Sequence, residues 1–88
     1  MFSASEKKHL EDSYFKVLSK DSNFYEIQSW NTKHCWLIQK SDRKGFIHIM
    51  HKHGKCIKNY HHQCNSETVE SAVKKIKKHD KYILCYKN

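Results

Sequence analysis

Between Lys33 and Cys64 the chain reads KHCWLIQKSDRKGFIHIMHKHGKCIKNYHHQC. Three short runs, His34–Lys40, Phe46–Lys52 and Lys55–Tyr60, are separated by two turn signals, and none is long enough for a helix of ordinary length. Trp36 and Ile38 oppose Cys35 and Leu37, so His34–Lys40 is apolar on both faces. That is the mark of a central strand covered on two sides. Ser41-Asp42-Arg43-Lys44-Gly45 is a polar hairpin connection ending in glycine, and His53-Gly54 suits a tight turn. A two-residue turn there sets Met50 against Ile57 and His51 against Cys56. A longer one sets Ile49 against Ile57, and a single slip exchanges the faces.

The flanks supply cover for this sheet. Ser3 and Glu6 have capping-box spacing, and Leu10, Tyr14, Val17 and Leu18 follow a helical stripe, so a helix is expected from Ser3 to about Ser19. Asp21-Ser22-Asn23 stops it, and Phe24–Trp30 alternates as a further strand. Asn65 or Ser66 caps a second helix to His79, with Glu67 and Glu70 in its first turn and Val69, Ala72, Val73 and Ile76 as its apolar stripe. Lys81–Lys87, KYILCYK, alternates like a last strand. The expected fold is therefore α+β over residues 1–88 as one domain. It has an N-terminal helix, a four-stranded antiparallel meander, a second amphipathic helix and a short C-terminal strand.

Eighty-eight residues bury only about 60–65% of their unfolded surface, which leaves little core to surrender to an enclosed active site. The net charge is +8, and sixteen of the seventeen basic residues are lysine, Arg43 being the exception. Lysine is a hydrated point charge, whereas arginine grips phosphate or guanine at two points. The basicity thus favours loose attraction to anions over base reading. Residues 1–30 carry four lysines and five acids, and residues 31–88 carry thirteen basic residues and four acids. One side of the folded domain should be positive.

No apolar run approaches membrane-spanning length, and charges stand in the first residues where a signal peptide needs an apolar core. A cytoplasmic setting follows as the expectation, with Cys35, Cys56, Cys64 and Cys85 reduced.

Three constellations bear on chemistry. His48, His51, His53, Cys56, His61, His62 and Cys64 are of zinc-binding type, but they lack the paired spacing of structural zinc motifs, so neither a metal nor any other cofactor is expected. Cysteine, histidine and aspartate are all present, yet the only two glycines, Gly45 and Gly54, frame no nucleophile elbow and no phosphate loop. No catalytic residue is assigned. A metal-free, histidine-based nuclease or toxin-like enzyme is the least favoured reading.

Basic residues interleave with aromatics at Trp30, Trp36, Arg43, Lys44, Phe46, Lys58 and Tyr60, as in sheets that bind single strands. The helix–strands–helix order resembles that of double-stranded-RNA-binding domains. Those domains begin their second helix with lysines, where this chain has Glu67 and Glu70, so no family is assigned.

The leading expectation is a small, non-catalytic accessory protein of bacterial or phage type that binds a protein partner, with homodimers through an edge strand as one form and no membrane role. The alternative is non-specific nucleic-acid binding through Lys74, Lys75, Lys77, Lys78 and Lys81. Intact-mass measurement of the non-reduced protein, with and without thiol alkylation, should count four free thiols. Two native disulfides would overturn the compartment expectation as well.

Overall fold

A computed structural model describes residues 2–40 and 46–86. The elements run α1 (Ala4–Leu10), β1 (Phe15–Lys20), β2 (Phe24–Ser29), β3 (Cys35–Lys40), β4 (Ile47–Lys52), β5 (His61–Ser66) and α2 (Val69–Tyr86). The class is α+β. The five strands form one antiparallel sheet in chain order β1-β2-β3-β4-β5, so β3 is central and β1 and β5 are its edges. No helix among the described residues is long and apolar enough to cross a membrane. The hairpin connection Ser41–Gly45 lies outside the described residues.

Alternation decides which side of the sheet is core. Tyr25 pairs with Ile38, Ile27 with Trp36, Ile38 with Ile49 and Trp36 with His51, which places all of them on one inner face. Phe15, Ile47 and Ile49 join that face, and Leu10 of α1 with Val69, Ala72, Val73 and Ile76 of α2 close over it in one buried cluster. The stripe expected of the second helix is the one it buries. On the outer face, Leu37, Met50, Gln28 and His48 remain partly exposed.

The N-terminal helix is shorter than its apolar stripe implied. Its capping box is formed as expected, with Ser3 Oγ accepting from the Glu6 amide and Glu6 Oε1 from the Ser3 amide. It stops at Leu10 because Asp12 takes over the next amides, Oδ1 accepting from Tyr14 N at 2.9 Å and its carbonyl from Phe15 N at 3.0 Å. That turn releases FKVLSK to pair with β2. An aromatic and a β-branched residue two apart fit a pleat better than a helix.

The fourth strand of the meander lies later than expected. Lys55–Tyr60 is a loop, and the partner of β4 is His61–Ser66, with Ile49 opposite Cys64 and His51 opposite His61. Neither register drawn from His53-Gly54 occurs. The loop is held from its far end: Tyr60 OH donates to Glu26 Oε2 on β2 at 2.7 Å, and Lys52 Nζ lies 4.6 Å from the Tyr60 ring centre. With Tyr60 drawn across the outer face, the chain turns back into the sheet only after it. Cys35 is wholly buried on that face, so β3 is covered on both sides at its start.

The second helix begins later and ends later. Thr68 is its cap, Oγ1 accepting from Ser71 N at 3.0 Å, whereas Ser66 is buried at the end of β5. The segment expected as a C-terminal strand continues the helix through Tyr86. Nothing after His79 breaks a helix, and Asp80 and Ile83 extend the inward line from Ile76.

Left-handed backbone falls at Lys33, φ 65°, and not at Gly54. Lys33 closes the turn between β2 and β3, its amide donating to Ser29 O at 2.9 Å while Ser29 N donates to His34 O at 3.0 Å. A side chain tolerates this conformation only at a cost, and a β-branched one least. Lys33→Val should therefore lower unfolding stability by about 1–2 kcal/mol relative to Lys33→Gly, measured by denaturant titration.

Candidate functional site

Two groups of side chains lie on opposite sides of α2. The helix buries Val69, Ala72, Val73, Ile76 and Asp80. Lys74, Lys77, Lys78 and Lys81 follow one another at i, i+3, i+4 and i+7 on the far side, and all four are exposed. Lys74 approaches Glu70 at 3.7 Å, an exposed pair worth little. Lys77 Nζ sits 5.0 Å from the Tyr14 ring centre. Lys75 stands apart from this row: its ammonium donates to the Asn65 carbonyl at 2.8 Å and clasps the helix to the end of β5.

The proposed aromatic interleaving does not converge on one surface. Trp36 is buried in the core and Tyr60 is engaged by Glu26, while Arg43 and Lys44 lie outside the described residues. Trp30 is half exposed, with Lys33 and Lys16 at 5.0 and 5.8 Å from its ring centre. Phe46 and Lys58 are exposed as well.

Beneath the helix the fold assembles a histidine cluster. His34 enters from the turn before β3, His51 from the end of β4 and His79 from α2. His34 Nδ1 and His51 Nε2 are 2.9 Å apart, and one nitrogen from each of the three rings lies within 4.8 Å of the other two. His34 and His51 are buried and His79 is half-buried. Trp36 stacks on His51 with ring centres 4.2 Å apart and meets His79 edge-on at 5.1 Å. Trp36 is itself fixed, its indole N–H donating to Ser29 Oγ at 3.2 Å. His53 lies parallel to His34 at 5.0 Å, and His61 meets His51 edge-on at 5.2 Å.

Chain spacing had grouped the histidines differently. His51, His53 and His61 belong to the cluster, but His48 and His62 face away, both directed at Asn65 Oδ1 at 3.0 and 2.8 Å. Cys56 is exposed and Cys64 half-buried beside the core, and neither belongs to the three-ring set. His34 and His79 are the members that the local spacing leaves out. A signal for them does exist in the sequence. His51 continues the inward alternation of Ile47 and Ile49, His34 continues that of Ile38 and Trp36, and His79 lies one turn beyond Ile76 on the apolar stripe. Each of the three is the polar residue at the end of an apolar line.

Burial sets the charge state. The His51 pKa is pushed down from 6.5 to about 3, first by burial and then by His79, His34, His53 and His61 around it. His79 is lowered as well, chiefly by burial, although neighbouring Asp80 works in the opposite direction. Asp80 does not lie free beside the rings: Tyr14 OH donates to its Oδ2 at 2.8 Å and Thr32 Oγ1 to its Oδ1 at 3.0 Å. A neutral imidazole has one unprotonated ring nitrogen, which can serve as a base or a metal ligand.

Comparison with known protein families, with curated proteins and with solved structures finds no match for this chain.

The lowered pKa values fix a sign. In chelating buffer the unfolded chain takes up a proton at His51 below about pH 6.5, and the folded chain resists until about pH 3. The unfolded state then binds more protons, so stability rises with pH. The contribution of this residue is complete above pH 6.5 and lost on acidification, by about 1.4 kcal/mol per pH unit between the two values. Urea titrations from pH 7.5 to 5 should show the decline, and His51→Phe should remove most of it.

Proposed function

We propose that this domain binds nucleic acid without sequence preference, through the solvent face of α2. The observation that carries the reading is the row Lys74, Lys77, Lys78 and Lys81, placed opposite the buried stripe and so held at the surface by the packing of the helix. Eighteen helical residues make a rod of about 27 Å, rigid enough to present a row of charge to a phosphate backbone. The +8 net charge draws polyanions to the domain at long range. Lysine in place of arginine suits phosphate contact without base reading. The reading assigns no catalytic step. It ranks ahead of a protein partner because this face is a run of cations, and interface cores between proteins are depleted in charge.

The contact is electrostatic, so affinity should fall steeply with salt and vary little between sequences. Replacing Lys74, Lys78 and Lys81 together by alanine should lower the slope of log K against log salt by about 2–3, roughly 0.7–0.9 per lost phosphate contact. Lys75→Ala should change it less, because that ammonium already serves the Asn65 carbonyl. Fluorescence anisotropy with labelled duplex and single-stranded oligonucleotides at two salt concentrations decides the matter. Absence of binding at low salt would refute the proposal and leave a protein partner as the reading. Salt-resistant, sequence-selective binding would refute it too.

A further inference from the structure

We propose that His34, His51 and His79 bind one transition-metal ion of the zinc class, an ion that clips α2 onto the ends of β3 and β4. The proposal is independent of the nucleic-acid reading and rests on the interior face of the same helix.

The first support is geometric. Three elements remote in sequence bring one imidazole nitrogen each into a space where all three lie within 4.8 Å. Nitrogens bound tetrahedrally to zinc at 2.0–2.1 Å stand about 3.4 Å from one another. The His34–His51 separation of 2.9 Å must open by about half an ångström, and His79 must close in. Movements of that size are side-chain adjustments. The ring already stacked on Trp36, that of His51, is the fixed one.

The second support is an unmet atom. Nδ1 of His79 is buried and has no hydrogen-bond partner among the described residues. A buried polar nitrogen left unpaired costs free energy, and a coordinated ion removes that cost. The carboxylate at the next position is committed to Tyr14 and Thr32, so it does not supply the partner.

A third support is backbone strain placed at the site. Lys33 holds its left-handed conformation directly before His34, and the turn it closes sets where the His34 ring enters. Strain of this kind accumulates where geometry matters to function. His34 is also anchored through its own amide, which donates to Thr32 Oγ1 at 3.2 Å, and the same hydroxyl donates to Asp80. One short chain of hydrogen bonds thus ties the backbone at His34 to the carboxylate next to His79 and links two of the three elements that carry the rings.

The donor set selects the ion. Three imidazoles without a carboxylate suit zinc, copper(II), nickel or cobalt and not calcium or magnesium, which take oxygen ligands. Three protein ligands leave a fourth position, and His53 and His61 are the further histidines near it, each with its ring centre 5.2 Å from that of His51.

The test uses untagged, chelator-stripped protein titrated with cobalt(II) and then with zinc(II). The expected result is one equivalent of cobalt with the intense visible absorption of a tetrahedral centre, displaced by zinc with a dissociation constant below about 1 µM. A hundredfold excess of zinc over that constant should raise the melting temperature by about 10 °C or more. His79→Ala should weaken binding by more than about 100-fold, beyond what loss of an outer-shell group does, while the paired change His48→Ala/His62→Ala leaves it unaltered. Ring-nitrogen NMR of the unmodified protein answers the same question without any variant: zinc should shift His34, His51 and His79 and leave His48 and His62 in place. Absence of stoichiometric uptake at micromolar metal would overturn the proposal. So would uptake that survives His79→Ala, or zinc shifts confined to His48 and His62.

Discussion

Asp80 is wholly buried, and its two carboxylate oxygens are each taken by a hydroxyl, Tyr14 from the segment before β1 and Thr32 from the turn between β2 and β3. Three parts of the chain meet at this one residue. A buried carboxylate is expensive unless its oxygens are hydrogen-bonded, and here both are. Because Asp80 sits on α2 between His79 and Lys81, this anchor fixes the rotation of the helix about its own axis. That rotation decides which side chains enter the interior and which stand in water. Asn31 Nδ2 donates to Tyr14 OH at 3.1 Å and extends the network along the turn. The pairing also burdens Tyr14, whose pKa is pushed up to about 12 by burial foremost, with Asp80 adding to it.

The helix therefore has two chemically opposed sides from one sequence. Inward, Ala72, Val73 and Ile76 give way at the C-terminal half to His79 and Asp80, so apolar packing grades into a polar interior. Outward, the same turns carry lysine. At the opposite corner, α1 is tied to the sheet by a second polar link: Lys40 Nζ meets Glu6 Oε1 at 2.8 Å and lies 5.5 Å from the Phe2 ring centre. The helices are thus held by a few cross-links between elements far apart in sequence, in addition to the apolar cluster beneath them. In a chain this small such links matter, since the core alone leaves little margin.

The centre of this fold was legible in the sequence and its margins were not. The runs at Phe24–Trp30, His34–Lys40 and Phe46–Lys52 gave their strands within a residue or so, because alternation at period two is a strong local signal. The stripe Val69–Ile76 gave its helix for the matching reason. Errors fell where local patterns are ambiguous and distant contacts decide. Leu10, Tyr14, Val17 and Leu18 do fit a helix, but Asp12 and the edge of β2 take that segment into the sheet. HHQCNS has no apolar alternation at all and is a strand only because β4 offers it a ladder. KYILCYK alternates as a strand would, and yet no helix breaker follows His79 and Asp80 holds the segment in line with the helix. The histidine cluster was hidden for a similar cause. Metal and catalytic motifs are recognised by spacing along the chain, and this set is spaced by the fold.

The two tryptophans occupy opposite situations. Trp36 is buried, with its ring stacked on His51, while Trp30 is half exposed in the turn after β2, near Lys16 and Lys33. Indole emission shifts to the red in water and is quenched by a charged or metal-bearing imidazole in contact with it. The chain therefore carries two intrinsic optical probes of different colour. The blue component reports on the interior histidines, and the red component reports on whatever approaches the turn between β2 and β3. Replacing either tryptophan by phenylalanine isolates the other, so events at the two places can be followed separately without attaching a dye.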